Sequence, residues 1–206
     1  MKRPRRALGY SAAAVAVLAA GVGLFYNGYG PMALKDRGAP QLSPREAKGQ
    51  LDDTLRAATG AISPPAAYFG GVYVVDRLPE HADGEPSLLS GVMASVSLRT
   101  KVGPARIPVL LNQMKQLWGD RCRQDDTTVG YAATHYTDLS CPGRGESYFQ
   151  LSVVSSADGS TFGVHLSARV DTVRYQPEKD YGASPVGPRL TGHEGAPDVD
   201  DPYWSH

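Results

Sequence analysis

Two cysteines carry the most readily assigned chemistry in this chain. Cys122 and Cys141 are its only cysteines, with 18 residues between them. That spacing is not a C-x-x-C redox pair, and nothing beside either residue would lower a thiol pKa. Zinc would need two more ligands at ordered spacing, and none appear. A structural disulfide is the expectation, closing a loop worth about 3 kcal/mol by chain entropy. The five histidines are His81, His135, His165, His193 and His206. None stands two to four residues from another, so no metal-binding pair forms. His135, near Thr134, Tyr136 and Asp138, is the one histidine set among groups that could support acid–base work. An enzyme would require a polar cleft around it. His165 falls on the polar side of a strand and is expected to be exposed.

The acidic pairs are weaker signals. Asp52-Asp53 falls off the apolar stripe of a helix and reads as a solvated face. Asp125-Asp126 opens a strand and would blunt a sheet edge. Neither offers the oxygen set that calcium needs. The sequence contains no G-x-S-x-G, P-loop or dinucleotide fingerprint. Pro142-Gly143-Arg144-Gly145 lies in a hairpin-like loop and lacks the lysine and helix of a phosphate loop. No catalytic residue, cofactor site or metal ligand is therefore assigned.

The elements that must position these residues follow from periodicity. Ser43, Pro44 and Glu46 form a capping box with proline at the first helical position. Ala47, Leu51, Leu55, Ala58 and Ile62 continue as one stripe, ended by Gly60 and Pro64-Pro65. Residues 71–78 and 91–102 read as strands. A second helix starts at Pro104 or Pro108 and runs to Trp118. Its face is Ile107, Leu110, Leu111, Met114, Leu117 and Trp118, and Gly119 stops it. Strands are expected at about 127–137, 147–155 and 161–171. The last two alternate clearly and are joined by Asp158-Gly159, a tight-hairpin signal. The order α-β-β-α-β-β-β predicts an α+β domain of two layers. Two helices would pack on one side of a mostly antiparallel sheet of about five strands.

The flanks differ from this domain. Residues 1–6 carry four positive charges, and Ala7–Tyr26 contains no charged residue. About 20 residues at 1.5 Å rise match the roughly 30 Å hydrocarbon thickness. The basic start predicts a cytoplasmic N-terminus and a single-pass span, with the rest of the chain outside. A cleaved signal peptide would need a better cut site than Asn27–Ala33 provides. A lipoprotein would need a cysteine where Val22 stands. An uncleaved transmembrane anchor is the preferred reading, and the outer, oxidising side favours the disulfide. Residues 27–42 read as a Gly/Pro linker and 43–171 as the extracytoplasmic domain. Residues 172–206 lose periodicity, hold five prolines and are net acidic, so a disordered tail is expected. Tyr203 and Trp204 at its end suit a docking peptide for a partner, or a segment that folds back on the domain. The middle of the chain is neutral, which gives no electrostatic reason to expect nucleic acid.

The layout resembles a group of small actinomycete exported proteins, mostly lipoproteins or anchored proteins without an assigned activity. The likeness spans about residues 45–170. It rests on the basic start and apolar segment, the helix around Leu51-Asp-Asp-Thr-Leu55, the helix end Leu117-Trp118-Gly119, and the hairpin with Asp158-Gly159. Val22 departs from that group by removing the lipid-attachment cysteine. The resemblance implies topology and fold and brings no site. The expected function is a non-enzymatic, membrane-tethered envelope protein. It would bind a protein or an envelope component through its outer domain or tail. The alternatives are a lipid or small-molecule pocket between helices and sheet, and an enzyme centred on His135.

Overall fold

A computed structural model describes residues 42–77, 89–129, 134–156, 161–176, 181–183, 185–187 and 197–206. The expected span Ala7–Tyr26, residues 27–41 of the linker, the loop at 79–86, the Asp158-Gly159 turn, His81 and His193 lie outside the described residues. Among the described residues no helix is long and apolar enough to cross a membrane.

The first helix, α1 (Pro44–Ala61), begins as its sequence dictates. The Ser43 hydroxyl accepts from the Glu46 N–H at 3.3 Å, and Glu46 Oε2 accepts from the Ser43 N–H at 2.9 Å. Both orphan donors of the first turn are thereby satisfied. The stripe Ala47, Leu51, Leu55 and Ala58 is fully buried. Short strands β1 (Tyr68–Phe69) and β2 (Tyr73–Arg77) follow, then the long β3 (Leu89–Leu98). A 3-10 turn at Pro104–Arg106 leads into α2 (Ile107–Trp118), which places Pro108 in the first turn where its missing N–H costs nothing. Gly119 ends α2 at φ +79°, and its N–H bonds the Lys115 carbonyl at 2.8 Å. Four strands complete the order: β4 (Arg123–Val129), β5 (Thr134–Pro142), β6 (Tyr148–Ser155) and β7 (Thr161–Arg174).

The sheet has seven strands in the order β1-β3-β7-β6-β5-β4, with β2 also paired to β3. All strand pairs are antiparallel. The α+β class and two-helix, antiparallel layout are as expected, but the strand count is not. The single strand expected at 127–137 is two, β4 and β5, and Tyr68–Phe69 adds a further short one. β-prone residues on both sides of Gly130 hid the reversal, because no Asn-Gly or Asp-Gly pair marks it. Cys141, expected in a loop, lies on β5.

Both helices cover one face of the sheet. Leu51, Leu55, Leu110, Met114, Val96, Leu151 and Leu166 meet there, each at most 1% exposed. The space between helices and sheet, where an enclosed lipid would have to sit, is occupied by these side chains.

The tail also departs from expectation. β7 runs past 171 to Arg174, whose N–H bonds the Leu42 carbonyl at 2.8 Å. Tyr181 is buried and stacks on Tyr73. Residues 197–206 pack against the domain, and Trp204 is 0% exposed. Its indole Nε1–H donates to the Pro64 carbonyl at 2.8 Å. The Trp204 carbonyl accepts from the Gly103 N–H at 2.7 Å. Asp201 Oδ1 accepts from the Tyr203 and Trp204 N–H groups. The acidic residues meet basic ones: Arg99 grips Asp198 at 2.9 and 2.7 Å, and Lys101 lies 3.0 Å from Asp200. Arg106 stacks over the Tyr203 ring at 4.2 Å and donates to the Tyr203 carbonyl. The disordered-tail expectation is corrected for these residues. Local composition lacks a periodic apolar face, but one large indole and a charge-matched groove replace it.

Candidate functional site

Strand alternation gives the sheet a second, open face. On β3 the residues Val92, Ala94, Val96 and Leu98 point to the helices, so Met93, Ser95 and Ser97 point away. By the same parity Tyr148, Gln150 and Ser152 of β6 and His165, Ser167 and Arg169 of β7 lie on the open face. Register aligns them in rows across the strands. One row is Val74, Met93, Arg169, Tyr148 and Pro142. The next is Ser95, Ser167, Gln150, Ser140 and Arg123. A third holds Ser97, His165, Ser152, Asp138 and Asp125.

A groove of about 570 Å³ runs over the first two rows, with Arg121 at its rim. Tyr148 is its prominent wall, 61% exposed. Arg169 forms its floor. The Arg169 guanidinium is held by Asp171 through Nε and by Asp76 through Nη1 at 3.4 Å. A Cβ on Gly91 would stand 2.5 Å from Arg169 Nη2, so glycine there leaves the planar group its place. The hydrogen bond to Asp171 raises the Arg169 pKa above its ordinary value. Gln150 makes one long bond, 3.4 Å to the Ser152 hydroxyl.

The third row has the residue types of a hydrolase but not the connections. Ser97 Oγ and His165 Nδ1 lie 2.8 Å apart. Asp138 is bonded by the Ser152 hydroxyl instead of the imidazole. A triad needs the carboxylate on one ring nitrogen and the nucleophile on the other, and here a serine holds the nitrogen that the carboxylate would need. Desolvation on the sheet holds the His165 pKa below the usual histidine value.

The other residues singled out by sequence are dispersed. Cys122 and Cys141 form the disulfide, tying the turn after α2 to β5. His135 is exposed near the sheet's β4 edge and pairs with Thr128 Oγ1 at 2.8 Å. Asp125 and Asp126 do lie on β4, an outermost strand of the sheet. Two amides of the 143–146 loop are spent on α1, the Arg144 N–H donating to Thr54 Oγ1 at 3.0 Å and the Glu146 N–H to Gln50 Oε1 at 2.9 Å, while the Gly143 N–H donates to the Ser147 carbonyl at 2.8 Å. Trp204 is buried in its own domain, so the Tyr203–Trp204 pair folds back and does not stand free as a docking peptide. Among the described residues no group of three or more His, Cys, Asp or Glu could hold a metal ion.

Sequence reasoning missed one polar cluster. Asp52, expected on a solvated face, is 8% exposed. Its carboxylate accepts from the Tyr73 hydroxyl and from Lys48 Nζ at 2.6 Å, while Lys48 also reaches the Tyr73 hydroxyl at 2.8 Å. Burial first, then the bond to Asp52, raises the Tyr73 pKa well above its normal value. The Lys48 and Asp52 i,i+4 spacing was visible; that β2 would cover it was not. This cluster fastens β2 to α1.

Comparison with family profiles, curated proteins and solved structures finds no match for this chain.

Proposed function

We propose that this protein is a non-enzymatic binding domain, tethered to a membrane by Ala7–Tyr26 and displaying its open sheet face on the outer side. One observation carries the reading. Among the described residues the exposed large apolar side chains are Val72, Val74 and Tyr148; strand register puts Val74 and Tyr148 on the face opposite the helices, and Val72 immediately precedes β2. Exposed apolar area that clusters on one face marks a contact surface, whereas scattered single residues need no explanation. The groove beside them supplies shape, and the rows of hydroxyl, amide and paired ionic groups supply polar complements. The anchor follows from the uncharged segment behind a basic start, and the resemblance to exported actinomycete proteins points the same way.

The test is site-resolved crosslinking of the full chain in the membranes of the cells that make it. A photoreactive side chain replaces Tyr148 on the open face or Arg45 on exposed α1. A discrete adduct from position 148, absent from position 45, is the expected result. Equal or no labelling at the two positions would overturn the assignment of the open face.

A further inference from the structure

We infer that the open-face groove takes a neutral saccharide chain; this rests on the open face being the binding surface. Three features select that ligand chemistry. The first is charge. Arg121 and Arg169 are the cations of the groove lining, and Asp76 and Asp171 flank Arg169. Two cations thus stand with two carboxylates, and a strongly anionic ligand would have to displace the carboxylates that hold Arg169. Polyanions such as nucleic acid bind by neutralising unpaired cations, which this floor does not offer.

The second is the aromatic wall. Tyr148 is 61% exposed and stands between its neighbours in register, Arg169 and Pro142. An exposed phenol ring presents an apolar, electron-rich face with a polar tip. The C–H face of a pyranose is its natural complement, because it is weakly apolar and carries partial positive charge.

The third is the polar row beside the ring. Ser167, Gln150 and Ser140 are consecutive in register on three adjacent strands, so they stand about 4.8 Å apart. Each offers both donor and acceptor capacity, and the Gln150 amide offers the two together. That pattern satisfies sugar hydroxyls, which also donate and accept, at a spacing comparable to one pyranose. All three sit on a hydrogen-bonded sheet, so little ordering cost attends binding. A protein partner would use the Val72 and Val74 end of the face; the groove itself pairs an apolar, aromatic wall with one row of hydroxyl and amide groups.

The experiment is isothermal titration of the full-length protein in detergent with neutral tetrasaccharides of glucose and of N-acetylglucosamine. We expect binding of at least one, changed by less than about twofold when salt is raised, since no net charge is neutralised. Tyr148→Ala should weaken it about tenfold or more, as removal of a central aromatic anchor does. Gln150→Ala should weaken it less, and Lys115→Ala on exposed α2 should leave it unchanged. Because Tyr148 and Gln150 are exposed, these variants are expected to fold, and unchanged circular dichroism checks this. No heat with either sugar, or binding indifferent to Tyr148→Ala, overturns the saccharide assignment. If position 148 still crosslinks a protein in membranes, the open-face reading survives that failure. If position 148 labels nothing, both fall together.

Discussion

Trp204 gives its indole N–H to the carbonyl of Pro64 at 2.8 Å, joining the segment at 197–206 to the loop that follows α1. The ring is fully buried and meets Tyr203 edge-on, with 5.1 Å between centroids. A residue placed this way belongs to the core, whatever its position in the chain. Trp204→Ala should cost about 3–5 kcal/mol, as loss of a buried indole does. Urea unfolding followed by circular dichroism measures it. A change under 1 kcal/mol would show that the segment does not stay docked in solution.

The disulfide makes a second stability prediction. Cys122 and Cys141 are 19 positions apart, so the double variant Cys122→Ser/Cys141→Ser should lose about 3 kcal/mol, chiefly through a freer unfolded chain. Thiol titration of the native protein under denaturing conditions should find no free thiol. Two free thiols on protein taken from cells would remove both the bridge and the outer compartment that favours it.

The Lys48, Asp52 and Tyr73 cluster predicts coupling. Asp52→Ala strands a half-buried ammonium and a phenol, and should cost about 1–3 kcal/mol. Tyr73→Phe alone should cost less. In a double-mutant cycle the two losses should fail to add, with a coupling of about 0.5–3 kcal/mol. Strict additivity would mean that the hydroxyl and carboxylate are not partners in solution.

His165 predicts a pH dependence of definite sign. Its folded pKa lies below the ordinary value of 6.5 because desolvation disfavours the imidazolium. The unfolded chain therefore binds the proton more readily. Stability from this residue is complete above the unfolded value and is lost as pH falls through it toward the lower folded value. Unfolding between pH 7.5 and about pH 5 should show the wild type losing more stability than His165→Gln. Identical slopes for the two proteins would contradict the assignment, as would a native NMR titration midpoint above 6.5.

Much of the fold was legible because it was written locally. The capping box at Ser43–Glu46, the stripe from Ala47 to Ala58 and the Gly119 stop each depend on neighbours within one or two turns. The alternation in β6 and β7 did too, so an α+β sandwich with two helices on one side followed from pattern. Local signals failed where tertiary contacts overrode them. The stretch expected as one strand at 127–137 spans the end of β4 and the start of β5. Asp52 looked exposed until Tyr73 arrived from 21 residues away.

The candidate site was less visible. Tyr148, Gln150 and Arg169 carry no motif and are separated in sequence. Only the β6–β7 register puts Tyr148 beside Arg169 and Gln150 beside Ser167. Their chemistry arises from adjacency across strands, which a single chain does not record.

By itself the sequence determined both helices, the strands around β3, β6 and β7, which of their faces would be apolar, and which two cysteines were available to pair. Those properties are set by short-range sterics, hydrogen bonding and periodicity. The tertiary structure decided that Trp204 is core, that Asp52 is buried, and that among the described residues one sheet face carries no helix and has a groove across it. Each of these depends on contacts between distant segments, where burial and register are won only when the whole chain has closed.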